Sequence, residues 1–142
     1  MTTYFEELKL GMAAESTHVV TESDVIGFAR VSGDHNPIHL DEAYAATTPF
    51  KGRIAHGILI ASYISALIAD KLPGAGAIYV GQTLNFRRPV KLGDEVVTRV
   101  EITALDEGKA RAVLSCKCSV GGKAVLTGDA TVMVPRRFDA AG

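Results

Sequence analysis

Two short stretches of this chain hold side chains able to move a proton or steady a developing charge. In the run from Phe28 to Ala45 a carboxylate and an imidazole, Asp34 and His39, bracket an Asn36-Pro37 turn, so that one loop brings both to the same point. Such a pair can hold a water between them. The carboxylate favours charge on the imidazole, and one of the two accepts the water's proton as the oxygen attacks. Asn36 is placed to orient either partner. Taken as backbone chemistry alone, the same Gly-Asp-x-Asn-Pro order makes a turn in which Asp34 bonds its own backbone and His39 sits at the surface. The second stretch, Arg53-Ile54-Ala55-His56-Gly57, opens an apolar segment. A helix starting there presents unpaired N–H groups and a partial positive charge, and Gly57 has no side chain to block an approaching oxygen. That is an oxyanion hole for a polarised carbonyl, or else merely a glycine at a tight helix start. Nothing else in the chain competes for these roles.

The elements that must position these groups are legible from periodicity. An extended piece near His18 to Val20 leads to Thr21, which caps a short helix with Asp24 three residues on and Val25, Ile26 and Phe28 as its apolar stripe. It stops near Gly33. From Ser32 to Pro37 turn formers dominate and a rigid loop is expected, after which Asp41 caps a helix over Glu42 to Ala46. From about Gly57 to Lys71 the chain is apolar on nearly every side, which predicts a helix enclosed by protein and too short to cross a bilayer. Four runs at strand spacing follow: Ile78 to Pro89, Glu95 to Leu105, Lys109 to Val120 and Lys123 to Val134. In the third, Ala112, Leu114, Cys116, Cys118 and Val120 face one way, and Arg111, Ser115 and Lys117 the other.

Helices first and long strands after, joined by short turns, make an α+β chain whose antiparallel meander wraps one apolar helix, the hot-dog arrangement. A single curved sheet leaves a long free edge, so pairing with a second copy into a homodimer is expected. The 142 residues show no repeat or linker, and residues 1–142 are expected to form one domain. With 15 Lys+Arg against 16 Asp+Glu, no basic face is available for nucleic acid or an anionic membrane. The first residues lack a secretory pattern, and a cytoplasmic location is expected. Cys116 and Cys118, two apart on one strand, read as small buried hydrophobes.

The run from Phe28 to Ala45 resembles the signature of the (R)-specific enoyl-CoA hydratases, or hydratase 2, within the MaoC-like dehydratases. The likeness continues through Ala45 to Phe50, Ile54 to Ser62 and Ile78 to Phe86, and covers essentially the whole chain. It is nearest to the short bacterial members that supply (R)-3-hydroxyacyl-CoA for polyhydroxyalkanoate synthesis. The resemblance implies a hot-dog protomer that pairs into dimers and adds water across the trans-2 double bond of an enoyl-CoA thioester. It makes Asp34 and His39 the catalytic dyad and Gly57 the oxyanion donor, with Asn36 and His56 in support and Ser65 lining the acyl pocket. Tyr63, Leu67 and Val132 are further candidates for that lining. Arg53, Arg87, Arg88 and Lys91 are the candidates for the phosphates of coenzyme A. No metal is expected, because Asp34, His35, His39 and His56 match no ligand spacing, and no cofactor is expected, coenzyme A being part of the substrate. Dehydration of acyl-carrier-protein thioesters and thioester hydrolysis remain alternatives, since the fold serves both.

Overall fold

Thr21 opens helix α1 (Glu22–Ser32) with a reciprocal cap: its Oγ1 accepts the Asp24 N–H at 3.1 Å while the Asp24 carboxylate accepts the Thr21 N–H at 3.0 Å. Gly33 closes the helix in the left-handed region, φ 82°, with its N–H on the Ala29 carbonyl. In this computed structural model, which describes residues 2–138, the expected loop runs from Gly33 to Asn36, and it is followed by a helical turn that was not expected. Asn36 Oδ1 accepts the Ile38 N–H and starts one turn of helix, α2 (Pro37–Leu40), with Pro37 at the first position, where a missing donor costs nothing. His39 therefore rides on a helix and is buried, 8% exposed, instead of lying at the surface. Asp41 caps α3 (Glu42–Ala46) by accepting the Tyr44 N–H.

Helix α4 (Gly57–Asp70) carries Leu59, Ile60, Ile64, Leu67 and Ile68 into the interior. They share one core with Val96, Val100, Ile102, Leu114, Cys116 and Cys118, each side chain contributing about 1.5–3 kcal/mol by leaving water. Cys116 and Cys118 are free thiols in this core, and burial pushes Cys116 up to about 11, so it stays protonated. The enclosure is incomplete within this chain. Ile58, Ser62, Ser65, Ala66 and Ala69 form an exposed stripe at helical spacing, which corrects the expectation of a helix covered on all sides. Apart from Ile58 the stripe is two serines and two alanines, small side chains that tolerate water, which hydropathy alone did not separate from the buried face.

The strands β1 (Ala13–Val19), β2 (Ile78–Gln82), β3 (Asn85–Phe86), β4 (Glu95–Asp106), β5 (Arg111–Val120) and β6 (Lys123–Met133) form one antiparallel sheet in the order β1-β4-β5-β6-β2, with β3 also on β6. This is the hot-dog fold. Two details differ from the sequence expectation. The strand that follows α4 does not extend a simple meander: it lands beyond β6, while β1, which begins at Ala13 and well before His18, takes the free edge of β4. The sheet curls around α4 so that the strands before and after the helix occupy opposite edges. The expected single strand from Ile78 to Pro89 is also broken, by a bulge between Tyr79 and Gly81 and by a crossing at Thr83.

At that crossing Thr83 gives its N–H to the Asp129 carbonyl at 2.9 Å, and its Oγ1, in place of its carbonyl, accepts the Asp129 N–H at 2.9 Å. The displaced Thr83 carbonyl lies over Gly128, where a Cβ would strike it directly. No side-chain rotation relieves a backbone clash, so Gly128→Ala is expected to destabilise the protein by about 1–3 kcal/mol. Urea unfolding checks this; a midpoint equal to that of the parent would show that the two strands do not approach as described.

Candidate active site

Asp34 lies just past the end of α1, exposed, and its orientation is set by short-range bonds. Its N–H goes to Ser32 Oγ at 3.1 Å, and its Oδ1 accepts the Asn36 N–H at 3.1 Å. Asn36 is thus occupied twice, by its backbone N–H holding Asp34 and by its Oδ1 capping α2. The second carboxylate oxygen of Asp34 is left for other partners. His39 is fixed from across the fold: its Nδ1 donates to the Ile54 carbonyl at 2.8 Å. A carbonyl only accepts, so Nδ1 carries the proton and Nε2 presents its lone pair. His56, at the start of α4 and 2% exposed, donates from Nε2 to the Asp34 carbonyl at 3.1 Å and stacks its ring on His39 at 3.9 Å. Phe28 packs on the same ring at 4.8 Å. Burial holds His56 below the ordinary histidine range, and a charge on His39 pushes the same way.

One carboxylate oxygen of Asp34 and one ring nitrogen each of His39 and His56 lie within 4.8 Å of one another. That span is what a water bridging a carboxylate and an imidazole needs, at two hydrogen bonds of about 2.7–3.0 Å. A metal would require the lone pairs to converge at about 2.0–2.1 Å. The two rings are instead stacked face to face, 29° from parallel, which aims their in-plane lone pairs side by side. The cluster suits proton transfer better than coordination.

His39 and Gly57 line one cavity of about 460 Å³, with Phe50, Phe86, Arg87 and Arg88 at its mouth. No side chain caps the first turn of α4, so N–H groups there stay available. The absence of a side chain at Gly57 also makes room for Phe86, because a Cβ there would sit 2.6 Å from the present position of its ring. Arg87 and Arg88 are exposed and each commits one donor to the protein, Arg87 Nε to Thr127 Oγ1 and Arg88 to the Ala124 carbonyl. The remaining fork donors face solvent.

Other candidates fall elsewhere. Ser65 lines a second cavity, about 340 Å³, with Phe28, Ile58, Ser62, Tyr79 and Gln82; Ile58 borders both cavities, so they adjoin. Tyr63 lies on a third, with His18, Asp24 and Val31, apart from His39. Its buried hydroxyl has no partner among the described residues, and burial pushes it up to about 12. Leu67 and Val132 are core residues, 2% and 0% exposed. Arg53, a candidate phosphate ligand, has a side chain only 12% exposed and already bonded inside the protein. Sequence reading missed Phe50 and Phe86 at the cavity mouth; the Phe86 position, just ahead of the arginine pair, was the available signal.

Residues 6–120 match the MaoC like domain. The chain belongs to the MaoC-like dehydratase family. Among its relatives in that family, 3-hydroxybutyryl-CoA dehydratase of Methylorubrum extorquens is 50% identical over 96% of this chain and 87% of its own length. The (R)-specific enoyl-CoA hydratase of Rhodospirillum rubrum is 49% identical over 94% and 93%. The structure of an (R)-hydratase from Aeromonas caviae involved in polyhydroxyalkanoate biosynthesis matches at a TM-score of 0.89 and 45% identity, covering 92% of this chain and 99% of that one.

In this MaoC-like protein the buried, neutral His56 links stability to pH with a definite sign. The unfolded chain takes up a proton on His56 near the ordinary value of about 6.5, whereas the folded chain does so only at lower pH. Its contribution is complete above about pH 6.5 and is lost as pH falls toward the folded value, at most about 1.4 kcal/mol per pH unit. His56→Gln keeps an N–H for Asp34 but cannot titrate. Urea midpoints at pH 7.5 and 5.5 should therefore differ less in the variant than in the parent; equal differences would mean that another group carries the dependence.

Proposed function

We propose that this protein adds water across the trans-2 double bond of an enoyl-CoA thioester to give (R)-3-hydroxyacyl-CoA, and runs the reverse dehydration. The observation that carries it is the placement of an exposed carboxylate within 4.8 Å of a histidine nitrogen, with that histidine lining the same cavity as the uncapped start of α4. The (R) hand is taken from the relatives, whose names specify it.

In this reading the thioester oxygen sits against the Gly57 N–H at the head of α4, where the developing enolate is held by a donor already in place. Asp34 and His39 Nε2 grip one water and direct it at C3. As the C3–O bond forms, the pair takes one proton from the water and returns one to C2 on the same face, so atoms and charge balance and the dyad ends as it began. No electrons change hands, and the electrophile is polarised by hydrogen bonding, so neither a redox cofactor nor a Lewis acid enters the scheme. Arg87 and Arg88 at the cavity mouth are assigned to the coenzyme A phosphates. The adjoining cavity with Ser65 is assigned to the acyl chain.

We also propose a homodimer. β2 is a free sheet edge on which Ile78, Tyr79 and Val80 are 59%, 40% and 44% exposed, and Ile58 of α4, bordering both cavities, is 54% exposed. Edge-to-edge pairing of two copies covers this surface and closes the acyl cavity, whose wall includes Tyr79, Val80 and Gly81. Among the described residues no helix is long and apolar enough to cross a membrane, and we place the enzyme in the cytoplasm.

Hydration of crotonyl-CoA, followed by loss of enoyl absorbance, tests the chemistry. Asp34→Asn and His39→Ala should each lower kcat by about 10²–10⁴-fold. Near-normal rates in either variant, or release of free thiol from saturated acyl-CoA by the parent, would remove the assignment. Sedimentation should give a mass near twice 15.0 kDa, and a single-copy mass at working concentration would overturn the dimer.

A further inference from the structure

We infer that Arg53 is a positioning residue for His39 and not a ligand for coenzyme A; this rests on the reading of His39 as the proton-transfer group. The segment before α4 grips the end of α2 through three bonds. The Ile54 N–H donates to the Ile38 carbonyl at 3.3 Å, His39 Nδ1 donates to the Ile54 carbonyl at 2.8 Å, and Arg53 Nε donates to the His39 carbonyl at 2.7 Å. Arg53 then reaches on to Glu22 in the first turn of α1, NH1 to Oε1 at 3.0 Å.

The three bonds divide the labour. The main-chain bond sets the distance between the segments, and the ring bond selects the tautomer that frees Nε2. Neither prevents α2 from rolling about the Ile38–Ile54 contact. α2 is a single turn, four residues long, and cannot hold its own orientation. Arg53 stops the roll by tying the His39 carbonyl of α2 to the N-terminal end of α1, whose other end leads into Asp34. One planar fork thus registers both members of the dyad against each other, since α1 positions Asp34 and α2 positions His39. A rigid guanidinium is suited to this because it serves two acceptors from fixed directions, which a lysine ammonium on a flexible stem does not. With the side chain 12% exposed and two of its donors already engaged, little of the group remains to meet a phosphate.

Kinetics and a spectroscopic readout together test this. Arg53→Met keeps the stem's packing but removes the fork; it should lower kcat for crotonyl-CoA about tenfold or more, because misplacing one reacting group is enough to do so, while KM and its salt dependence stay within about twofold. Arg53→Lys should recover part of the loss, and Glu22→Gln should lower kcat less. The Glu22→Gln, Arg53→Met double variant should be no slower than Arg53→Met alone, since both act through one clamp. In long-range ¹H–¹⁵N spectra of histidine-labelled protein, His39 should be the Nδ1–H tautomer in the parent and a mixture in Arg53→Met. A raised KM with flattened salt dependence at unchanged kcat would make Arg53 a phosphate ligand and overturn the inference. An unchanged kcat with an unchanged His39 tautomer would do the same. Should Arg53→Met not fold, Arg53→Lys and Glu22→Gln decide by the same criteria: lowered kcat at constant KM supports the clamp, and unchanged kcat in both rejects it. If the parent itself does not hydrate crotonyl-CoA, the functional reading fails while the tautomer spectra still decide the clamp.

Discussion

Two imidazole rings lie face to face at 3.9 Å, and each gives one N–H to a main-chain carbonyl, His39 to Ile54 and His56 to Asp34. These bonds cross between the segment before α4 and the segment after α1, so neither histidine is placed by its own element. A lone histidine on a one-turn helix samples several rotamers and both tautomers. Here burial of His39, the carbonyl of Ile54, the flat face of His56 and the Arg53 bond to the His39 carbonyl together leave one arrangement. His56 in turn is held toward its neutral form because burial disfavours its charged form, which keeps a positive charge away from the face of its neighbour. The ring contributes shape and a hydrogen bond to the Asp34 backbone.

The fold exists, from the site's point of view, to hold the head of α4 in the right place. A sheet that curls around the helix buries Ile60, Ile64, Leu67 and Ile68, and this fixes the helix axis far more firmly than any bond at its N-terminus could. The uncapped first turn is therefore tolerable. Its unpaired N–H groups would fray an isolated helix, but the packing of the later turns holds them in position, available to a ligand oxygen. The Ala55 N–H on the Val90 carbonyl at 2.7 Å ties the same entry point to the segment before β4. Stability made in the core offsets the donors left open at the site.

How far the sequence reaches depends on whether a feature is local. The caps at Thr21 and Asp41, the stop at Gly33, the apolar helix and the alternation along β5 were all readable, because each follows from a few neighbouring residues, whereas Asn36 read only as part of a turn and not as the cap of α2. What escaped was set by distant partners. Nothing near His39 says that it will be buried, since the burial comes from Ile54 and His56. Arg53 looks like surface charge until Glu22, 31 residues away, is seen beside it. The strand after α4 reads as continuous through Thr83, and only the approach of Gly128 from β6 shows why its carbonyl turns out of the ladder. The family resemblance supplied roles for Asp34, His39 and Gly57 that spacing had left open against simpler turn and cap readings.

The two adjoining cavities differ in how finished they are within one protomer. The one holding His39 and Gly57 is bounded by α4, the Ile54–Ala55 segment and residues 86–90, all anchored to the core. The one holding Ser65 has the free edge strand β2 as its outer wall, with a bulge at Tyr79–Gly81 and Val80 open to solvent. An acyl chain lying against an unpaired strand edge would gain little, because much of its surface would still meet water. In the proposed reaction, then, the protomer alone completes the acid/base half and leaves the apolar half to be finished by a second copy. This division places the groups that must be exact on elements packed around α4. In the proposed dimer the part that need only exclude water falls to the interface, where a change of one or two edge residues would alter the space for substrate without disturbing the proposed dyad.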